Sequence, residues 1–107
     1  MELSELITLM RKDTLKYIED YNFNKLVLFI DGFLLYKTAC NIPLSNDEKN
    51  FSIDFETWVF KYYDEMRNNS IGGWDNLILF KTKGLHIDAI NEFFKLYDKW
   101  VKQGIAI

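Results

Sequence analysis

The sequence predicts an all-α fold: a compact single-domain bundle of about five helices around a buried central helix, residues 24–40. Most segments repeat their apolar residues at the three- and four-residue spacing of a helix face. The only proline and four of the five glycines fall between those segments. The chain of 107 residues forms one domain, residues 1–107, and can bury about two-thirds of its unfolded surface.

The first helix is predicted to begin at Ser4, a residue type that caps helix N-termini. Its apolar face consists of Leu3, Leu6, Ile7 and Met10. Asp13-Thr14 is expected to break or kink the helix, and residues 15–18 follow as a turn or short helical piece. Residues 19–22 are polar and predict a loop, after which Asn22 or Asn24 caps the central helix.

The central segment, residues 25–40, is apolar at eleven of its sixteen positions, too many for one face of an amphipathic helix. A helix that is apolar nearly all round is expected in the middle of a bundle. Gly32 weakens a helix interior, so it predicts a close approach by another helix. The alternative is a hairpin turning at Asp31-Gly32, but the flanking residues alternate poorly and the helix is favoured.

A long third helix is predicted from Ser45 to about Asn68. Pro43 ends the helix before it, and Ser45 with Glu48 matches a capping box. Its apolar positions are Phe51, Phe55, Trp58, Val59, Tyr62 and Met66. Residues 68–73 are rich in turn-forming types and are expected to end it.

Two further helices complete the prediction. Residues 74–80 fit a short helix or a buried strand, and the helix is favoured because no second strand candidate remains to pair with it. Lys83-Gly84 is expected to end this helix. A last helix is predicted from His86 to Gln103, with Gly104 ending it and residues 104–107 frayed.

Composition excludes several classes of function. The net charge is −3 and the isoelectric point is about 5.1, which argues against nucleic acid as a direct ligand. The N-terminus lacks the basic and long apolar regions of a signal peptide, and no run of eighteen apolar residues predicts a membrane span. A lone cysteine, Cys40, is expected to be a buried reduced thiol, consistent with a cytoplasmic protein.

Residues able to perform catalysis are scarce. His86 is the only histidine, so metal sites built on several histidines or thiolates are excluded, and neither a metal nor a cofactor is predicted. Gly72-Gly73 is followed by Trp and Asp and matches no phosphate-binding loop. Cys40 and His86 could pair as nucleophile and base, but the apolar neighbours of Cys40 make its thiol unreactive. The sequence therefore predicts a protein that is not an enzyme.

Charge and aromatic residues point instead to a protein partner. Residues 45–65 carry a net charge of −4, against −1 for residues 1–44 and +2 for residues 66–107. The chain has nine Phe, six Tyr and three Trp, too many rings for a small core to enclose. An acidic face beside exposed rings suits a basic protein, because charge speeds encounter and buried rings slow dissociation.

Several motifs resemble those of the small bacterial immunity proteins found beside polymorphic and contact-dependent growth inhibition toxins. They are Arg11-Lys12, Leu15-Lys16-Tyr17-Ile18, Phe29-Ile30-Asp31-Gly32-Phe33, Ile42-Pro43, Phe55-Glu56-Thr57-Trp58-Val59, residues 74–80, and Phe93-Phe94-Lys95-Leu96-Tyr97-Asp98. The chain departs from the family pattern at Asp13-Thr14, where the family has Pro-Gly. The resemblance implies a non-enzymatic antidote that binds a toxin domain, often a nuclease, and blocks it stoichiometrically.

The sequence therefore favours an immunity protein whose partner is the C-terminal domain of a cognate toxin. The candidate contact residues are Glu19, Asp20, Asp54, Glu56 and Trp74. The alternative is a small adaptor or regulatory domain that homodimerises through an aromatic surface. An enzyme without a familiar signature is a third hypothesis, disfavoured by the shortage of nucleophile–base pairs.

Overall fold

Five α-helices and one short 3-10 helix form the regular structure of residues 1–66 and 71–105, the part of the chain that the computed structural model describes. They are α1 (Leu3–Lys12), the 3-10 helix (Thr14–Lys16), α2 (Phe23–Ala39), α3 (Asn46–Tyr62), α4 (Trp74–Lys81) and α5 (His86–Ile105). The all-α bundle is confirmed, and neither range contains a strand. No helix within these ranges has both the length and the apolar character needed to cross a lipid bilayer.

The N-terminal helix begins earlier than predicted. Its N-cap is Glu2, whose backbone N–H donates to Glu5 Oε1 at 3.0 Å, so Ser4 lies inside the first turn and is not the cap. The helix ends at Lys12, which confirms the predicted break at Asp13-Thr14. The 3-10 helix begins directly after Asp13.

The α2 helix is not enclosed, so the prediction of a buried central helix is wrong. Asn22 caps it, with its side chain accepting from Lys25 N at 3.2 Å, and Asp31-Gly32 lies well inside it, which excludes the hairpin. One side packs on α1, α4 and α5, but no α-helix of the described chain packs on the other side.

Gly32 lies on that uncovered side. A Cβ built on Gly32 meets no atom within 4 Å, so no helix of this chain approaches it closely. The predicted packing reason for the glycine is therefore absent within the described structure.

The α3 helix has the predicted start but a different end. Ser45 Oγ accepts from Glu48 N at 3.1 Å and Glu48 Oε1 accepts from Ser45 N at 2.9 Å, which confirms the capping box. The helix stops at Tyr62 because Asp64 adopts a left-handed φ of 53°. Met66 consequently lies outside the helix and is 85% exposed. Half of the predicted turn, residues 68–70, falls outside the described residues.

The two C-terminal helices follow the prediction closely. Residues 74–81 are helical, which settles the helix–strand ambiguity, and left-handed φ values at Lys83 (59°) and Gly84 (75°) turn the chain into α5. Gly104 does not end α5, which continues to Ile105. The rest of the predicted frayed tail, residues 106–107, lies outside the described residues.

Aromatic rings hold α3, α4 and α5 together. Phe55 is fully buried and touches rings from all three helices. Its ring centroid lies 4.8 Å from Phe51, 5.1 Å from Trp74, 5.5 Å from Trp100, 5.9 Å from Phe93 and 6.2 Å from Trp58. Most of these contacts are edge-to-face, the arrangement that ring quadrupoles favour. This cluster fixes the relative positions of α3 and α5.

Candidate functional site

An open cleft of about 640 Å³ lies between α3 and α5. Its walls combine carboxylates, amides and aromatic rings. They are formed by Ser4 of α1, by Asp47, Asn50, Ile53, Asp54 and Trp58 of α3, and by Tyr97, Trp100, Val101 and Gln103 of α5. No lysine, arginine, histidine or cysteine is among these lining residues, so the cleft contains acidic groups and no basic ones.

Helical spacing brings the α3 side chains to one face. Asp47, Asn50, Asp54 and Trp58 are separated by three, four and four residues, the intervals at which side chains of a helix are neighbours. The other face of α3 carries Phe55 into the ring cluster, so the lining face is held at a fixed distance from α5.

Two hydrogen bonds orient the tryptophans of the cleft. Trp100 Nε1 donates to Asp54 Oδ2 at 3.3 Å, and Trp58 Nε1 donates to Gln103 Oε1. Both bonds join α3 to α5 across the cleft. Both tryptophans remain partly exposed, since neither side chain is fully buried.

The ionisable side chains that line the cleft are acidic or phenolic, and none is basic. Burial, together with the negative charges of Asp47 and Asp98, raises the pKa of Tyr97 to about 12, although Arg11 acts in the opposite direction. Asp47 and Asp54 are exposed and belong to the same wall. The Tyr97 hydroxyl therefore remains protonated, and the cleft presents carboxylates as its only charged groups.

This arrangement can bind a cation. Carboxylates form charge-assisted hydrogen bonds with Arg or Lys, and an indole face attracts the same cations. Tryptophan also supplies the apolar contact area typical of interface hot spots. The cleft therefore has the chemistry to hold a basic side chain of another protein.

Of the five residues predicted from the sequence to contact a partner, Asp54 alone lines the cleft. Its exposed carboxylate accepts from Trp100 and still faces solvent.

Glu56 and Trp74 support the fold between α3 and α4. Glu56 Oε1 accepts from Trp74 N at 3.2 Å, at the start of α4, where the N-cap residue Gly73 has no side chain to do so. The Trp74 ring is half-buried, stacks on Phe93 at 5.3 Å and meets Phe55 edge-on at 5.1 Å. Both side chains therefore support the packing of this chain, whereas the sequence analysis predicted that they would contact a partner.

Glu19 and Asp20 lie in the loop before α2, away from the cleft lining. Lys25 Nζ lies 3.3 Å from Glu19 and 3.2 Å from Asp20. All three side chains are substantially exposed. The five predicted residues therefore lie in three settings, which are the cleft, the contact between α3 and α4, and the loop before α2.

Sequence reasoning missed Asp47, Trp58 and Trp100 as members of a common site. The signal was present in part, because Asp47, Asp54 and Trp58 share one helical face by spacing alone. The spacing of residues along α3 could not show which helix packs beside it. Trp100 belongs to α5, 42 positions after Trp58.

Glu48, one of the acids that make residues 45–65 negative, does not lie on an exposed acidic face. Its side chain is completely buried, and Lys37 Nζ lies 2.8 Å from Oε2. Oε2 also accepts from Leu3 N at 3.0 Å. Burial, the largest influence, would raise the pKa of Glu48, but the hydrogen bonds from Lys37 and Ser45 together lower it. Glu48 is thus an ionised structural link between α1, α2 and α3.

Cys40 and His86 are far apart, so they cannot form a catalytic pair. Cys40 is exposed at the C-terminal end of α2, contrary to the predicted buried thiol. His86 is at the other end, where Nδ1 accepts from Phe23 N at 2.9 Å. The 17 residues of α2 span about 25 Å. His86 therefore satisfies the start of α2 rather than activating the thiol.

The remaining described chain adds no metal site. Across residues 1–66 and 71–105, no group of three or more His, Cys, Asp or Glu side chains is arranged to hold a metal ion.

Comparisons with known proteins give no relative. No protein-family model matches the chain, and neither the curated proteins nor the solved structures contain a match.

Proposed function

We propose that this protein is an immunity protein that neutralises a basic toxin domain, by inserting basic side chains of the toxin into the α3–α5 cleft. The observation that carries the proposal is the composition of the cleft, which brings Asp47 and Asp54 together with Trp58 and Trp100. The motif resemblance described above supports the same function. Protecting the cell that makes the toxin would place the protein in the cytoplasm.

Charge supports a nuclease as the toxin. A nuclease binds phosphates with Lys and Arg, so its substrate-binding surface is basic. The cleft offers carboxylates at the surface of a protein of net charge −3. An acidic protein that covers the basic surface would exclude nucleic acid and would need no chemistry of its own.

The scaffold supports tight binding. The walls of the cleft are anchored to the Phe55 ring cluster and cross-linked by the two indole hydrogen bonds. A preformed site loses less conformational entropy on binding than a flexible one. This matters because an antidote must remain bound while the toxin is present.

The test is co-expression with the C-terminal domain of the toxin encoded beside the gene. Wild-type protein should restore growth and form a 1:1 complex with the purified domain. Trp58→Ala should weaken the complex by at least about tenfold, the loss expected for a hot-spot aromatic residue. Tyr21→Ala, which removes an exposed ring outside the cleft, is the matched control and should bind like wild type. Failure of the wild-type protein to bind or protect would refute the proposal.

The alternative, an adaptor domain that homodimerises through apolar side chains, has a different observation in its favour. The uncovered side of α2 exposes Leu28, Phe29, Leu35 and Tyr36. None of these four residues lines the cleft, so self-association at α2 and toxin binding at the cleft are compatible.

A further inference from the structure

The uncovered side of α2 carries an apolar surface, here called the α2 outer face, made of Leu28, Phe29, Gly32, Leu35 and Tyr36. Leu28 is 68% exposed, Leu35 67%, Tyr36 57% and Phe29 38%. Contiguous exposed apolar surface of this kind commonly marks an interaction site.

The residues of this face are arranged symmetrically about Gly32. Leu28 and Phe29 stand four and three positions before the glycine, and Leu35 and Tyr36 stand three and four positions after it. All five positions therefore lie on one side of the helix. Reversing the direction of the helix exchanges Leu28 with Tyr36 and Phe29 with Leu35, so apolar residues again fall on apolar positions.

We propose that the α2 outer face binds a second copy of this chain, with the two α2 helices antiparallel and a two-fold axis passing beside Gly32. An isologous interface requires a surface that is complementary to itself, which the symmetric pattern provides. Leu28 then packs opposite Tyr36 of the partner subunit, and Phe29 opposite Leu35 of the partner subunit. The proposal is independent of the cleft and of toxin binding.

This arrangement explains why a glycine stands at position 32, inside a helix. Among the described residues of its own chain, nothing approaches within 4 Å of a Cβ built there, although glycine weakens a helix interior. At the crossing point of two helices, the missing side chain lets the two backbones approach closely. The second helix that the sequence predicted near Gly32 would then come from another molecule.

Charge on the face favours a second copy over the basic partner of the cleft. None of its five residues is ionisable near neutral pH, so two copies meet there without like-charge repulsion. Asp31 lies at the edge of the face and interacts with Asp75 of α4. Partial burial, and to a lesser extent the negative charge of Asp75, raises the pKa of Asp31. Antiparallel helices also place each positive N-terminus beside a negative C-terminus. A basic partner would gain no ion pair on this surface.

The area of the face matches a reversible dimer. From their exposed fractions, the four apolar side chains offer about 400 Å² per subunit. A standard interface uses about 600–1,000 Å² per partner. Tyr17, edge-on to Phe29 at 5.8 Å, extends the face, and polar atoms along both sides of α2 can supply the remainder. A dimer that forms at micromolar or higher concentration is expected.

Sedimentation equilibrium of the full chain tests the state directly. Wild type should dimerise with rising concentration, and Leu35→Glu should remain monomeric. Gly32→Ala should weaken the dimer at least tenfold while raising the melting temperature of the monomer, because alanine suits the helix but blocks close approach. A loss of folding cannot produce that combination. Ile87→Glu, which changes an aliphatic residue of α5 that is 56% exposed and lies outside both surfaces, is the control and should dimerise like wild type.

Cysteine cross-linking tests the two-fold axis. In a Cys40→Ser background, a mixture of Phe29→Cys and Leu35→Cys should form a disulfide-linked dimer under mild oxidation, because these positions face each other in the proposed pairing. Leu28→Cys alone should not, because its symmetry mate lies about 12 Å away along the helix axis, beyond disulfide reach. Mixing Leu28→Cys with Tyr36→Cys should restore linkage. Equal linkage of the single variants, or linkage of none, would overturn the proposed geometry.

Two results would overturn the proposal as a whole. One is a wild-type protein that remains monomeric at millimolar concentration. The other is a monomeric wild type that binds the toxin domain but loses that binding with Leu35→Glu, since the face would then belong to the toxin interface. Loss of toxin binding in cleft variants leaves the dimer unaffected, so the two proposals fail independently.

Discussion

At the scale of single residues, the buried pair formed by Glu48 and Lys37 is especially sensitive to substitution. Glu48 accepts from the start of α1, from the start of α3 and from Lys37 of α2, so one carboxylate connects three helices. A buried ion pair adds little over a packed apolar pair, but removing one partner leaves the other charge buried and alone.

We expect Glu48→Gln to lower the free energy of unfolding by about 3–5 kcal/mol, because it leaves the Lys37 ammonium uncompensated. Urea denaturation followed by circular dichroism measures the change. Asp47→Asn, the adjacent carboxylate but an exposed one, should cost less than about 1 kcal/mol. The double variant Lys37→Met/Glu48→Leu should be more stable than Glu48→Gln; if it is equally unstable, the isolated charge is not the cause.

The same pair predicts a pH dependence. The folded-state pKa of Glu48 lies below its unfolded value of 4.5, so its contribution is fully present above that pH. It is lost as the pH falls through the folded pKa, where protonation breaks the pair with Lys37. The stability gap between wild type and Glu48→Gln should therefore be constant from pH 6 to 7 and narrow below about pH 4.5. A gap that persists unchanged at pH 3 would show that ionisation of Glu48 is not involved.

Sequence could predict the local role of Glu48 but not its burial. The spacing of Ser45 and Glu48 identifies a capping box, and the structure contains it. A capping box usually lies at the surface, and only the packing of α1 and α2 over this one removes it from water. The same limit applies to Glu56 and Trp74, whose contacts depend on how α4 meets α3.

At the scale of elements, α2 shows where periodicity succeeds and where it fails. The length and composition of residues 25–40 identified a helix, and α2 covers Phe23–Ala39. Because every side of it is apolar, the pattern could not tell which side would be buried. The ends of α3 and α5 were predicted wrongly for a different reason. The spacing of apolar residues does not indicate that Asp64 is left-handed or that Gly104 is helical.

Glycine substitutions test this description of the elements. Gly32→Ala should raise the free energy of unfolding by about 0.5–1 kcal/mol when measured on the monomer, since the site is helical and open. Gly84 is equally open but has a φ of 75°, so Gly84→Ala should destabilise instead. Thermal denaturation of both variants at low protein concentration gives the comparison. The same sign of change at both positions would contradict the assigned backbone conformations.

At the scale of the whole molecule, two surfaces remain after folding. The Phe55 ring cluster fixes α3 against α5 and leaves the acidic cleft between them, while the α2 outer face lies outside that cleft. The composition of the chain indicated acidic and aromatic binding surface, and the concentration of acids in residues 45–65 pointed to α3. Which acids share a site with which rings required the packing of two helices distant in sequence.

The central claim is that the cleft captures a basic toxin domain through its carboxylates. The most direct measurement is the association rate of the toxin domain across a range of salt concentrations, by stopped flow. Asp47→Asn/Asp54→Asn should slow association about tenfold at low salt and flatten its salt dependence. Asp13→Asn/Asp64→Asn removes the same charge outside the cleft. It should change the association rate and its salt dependence much less. Equal rates for the two double variants would contradict the account.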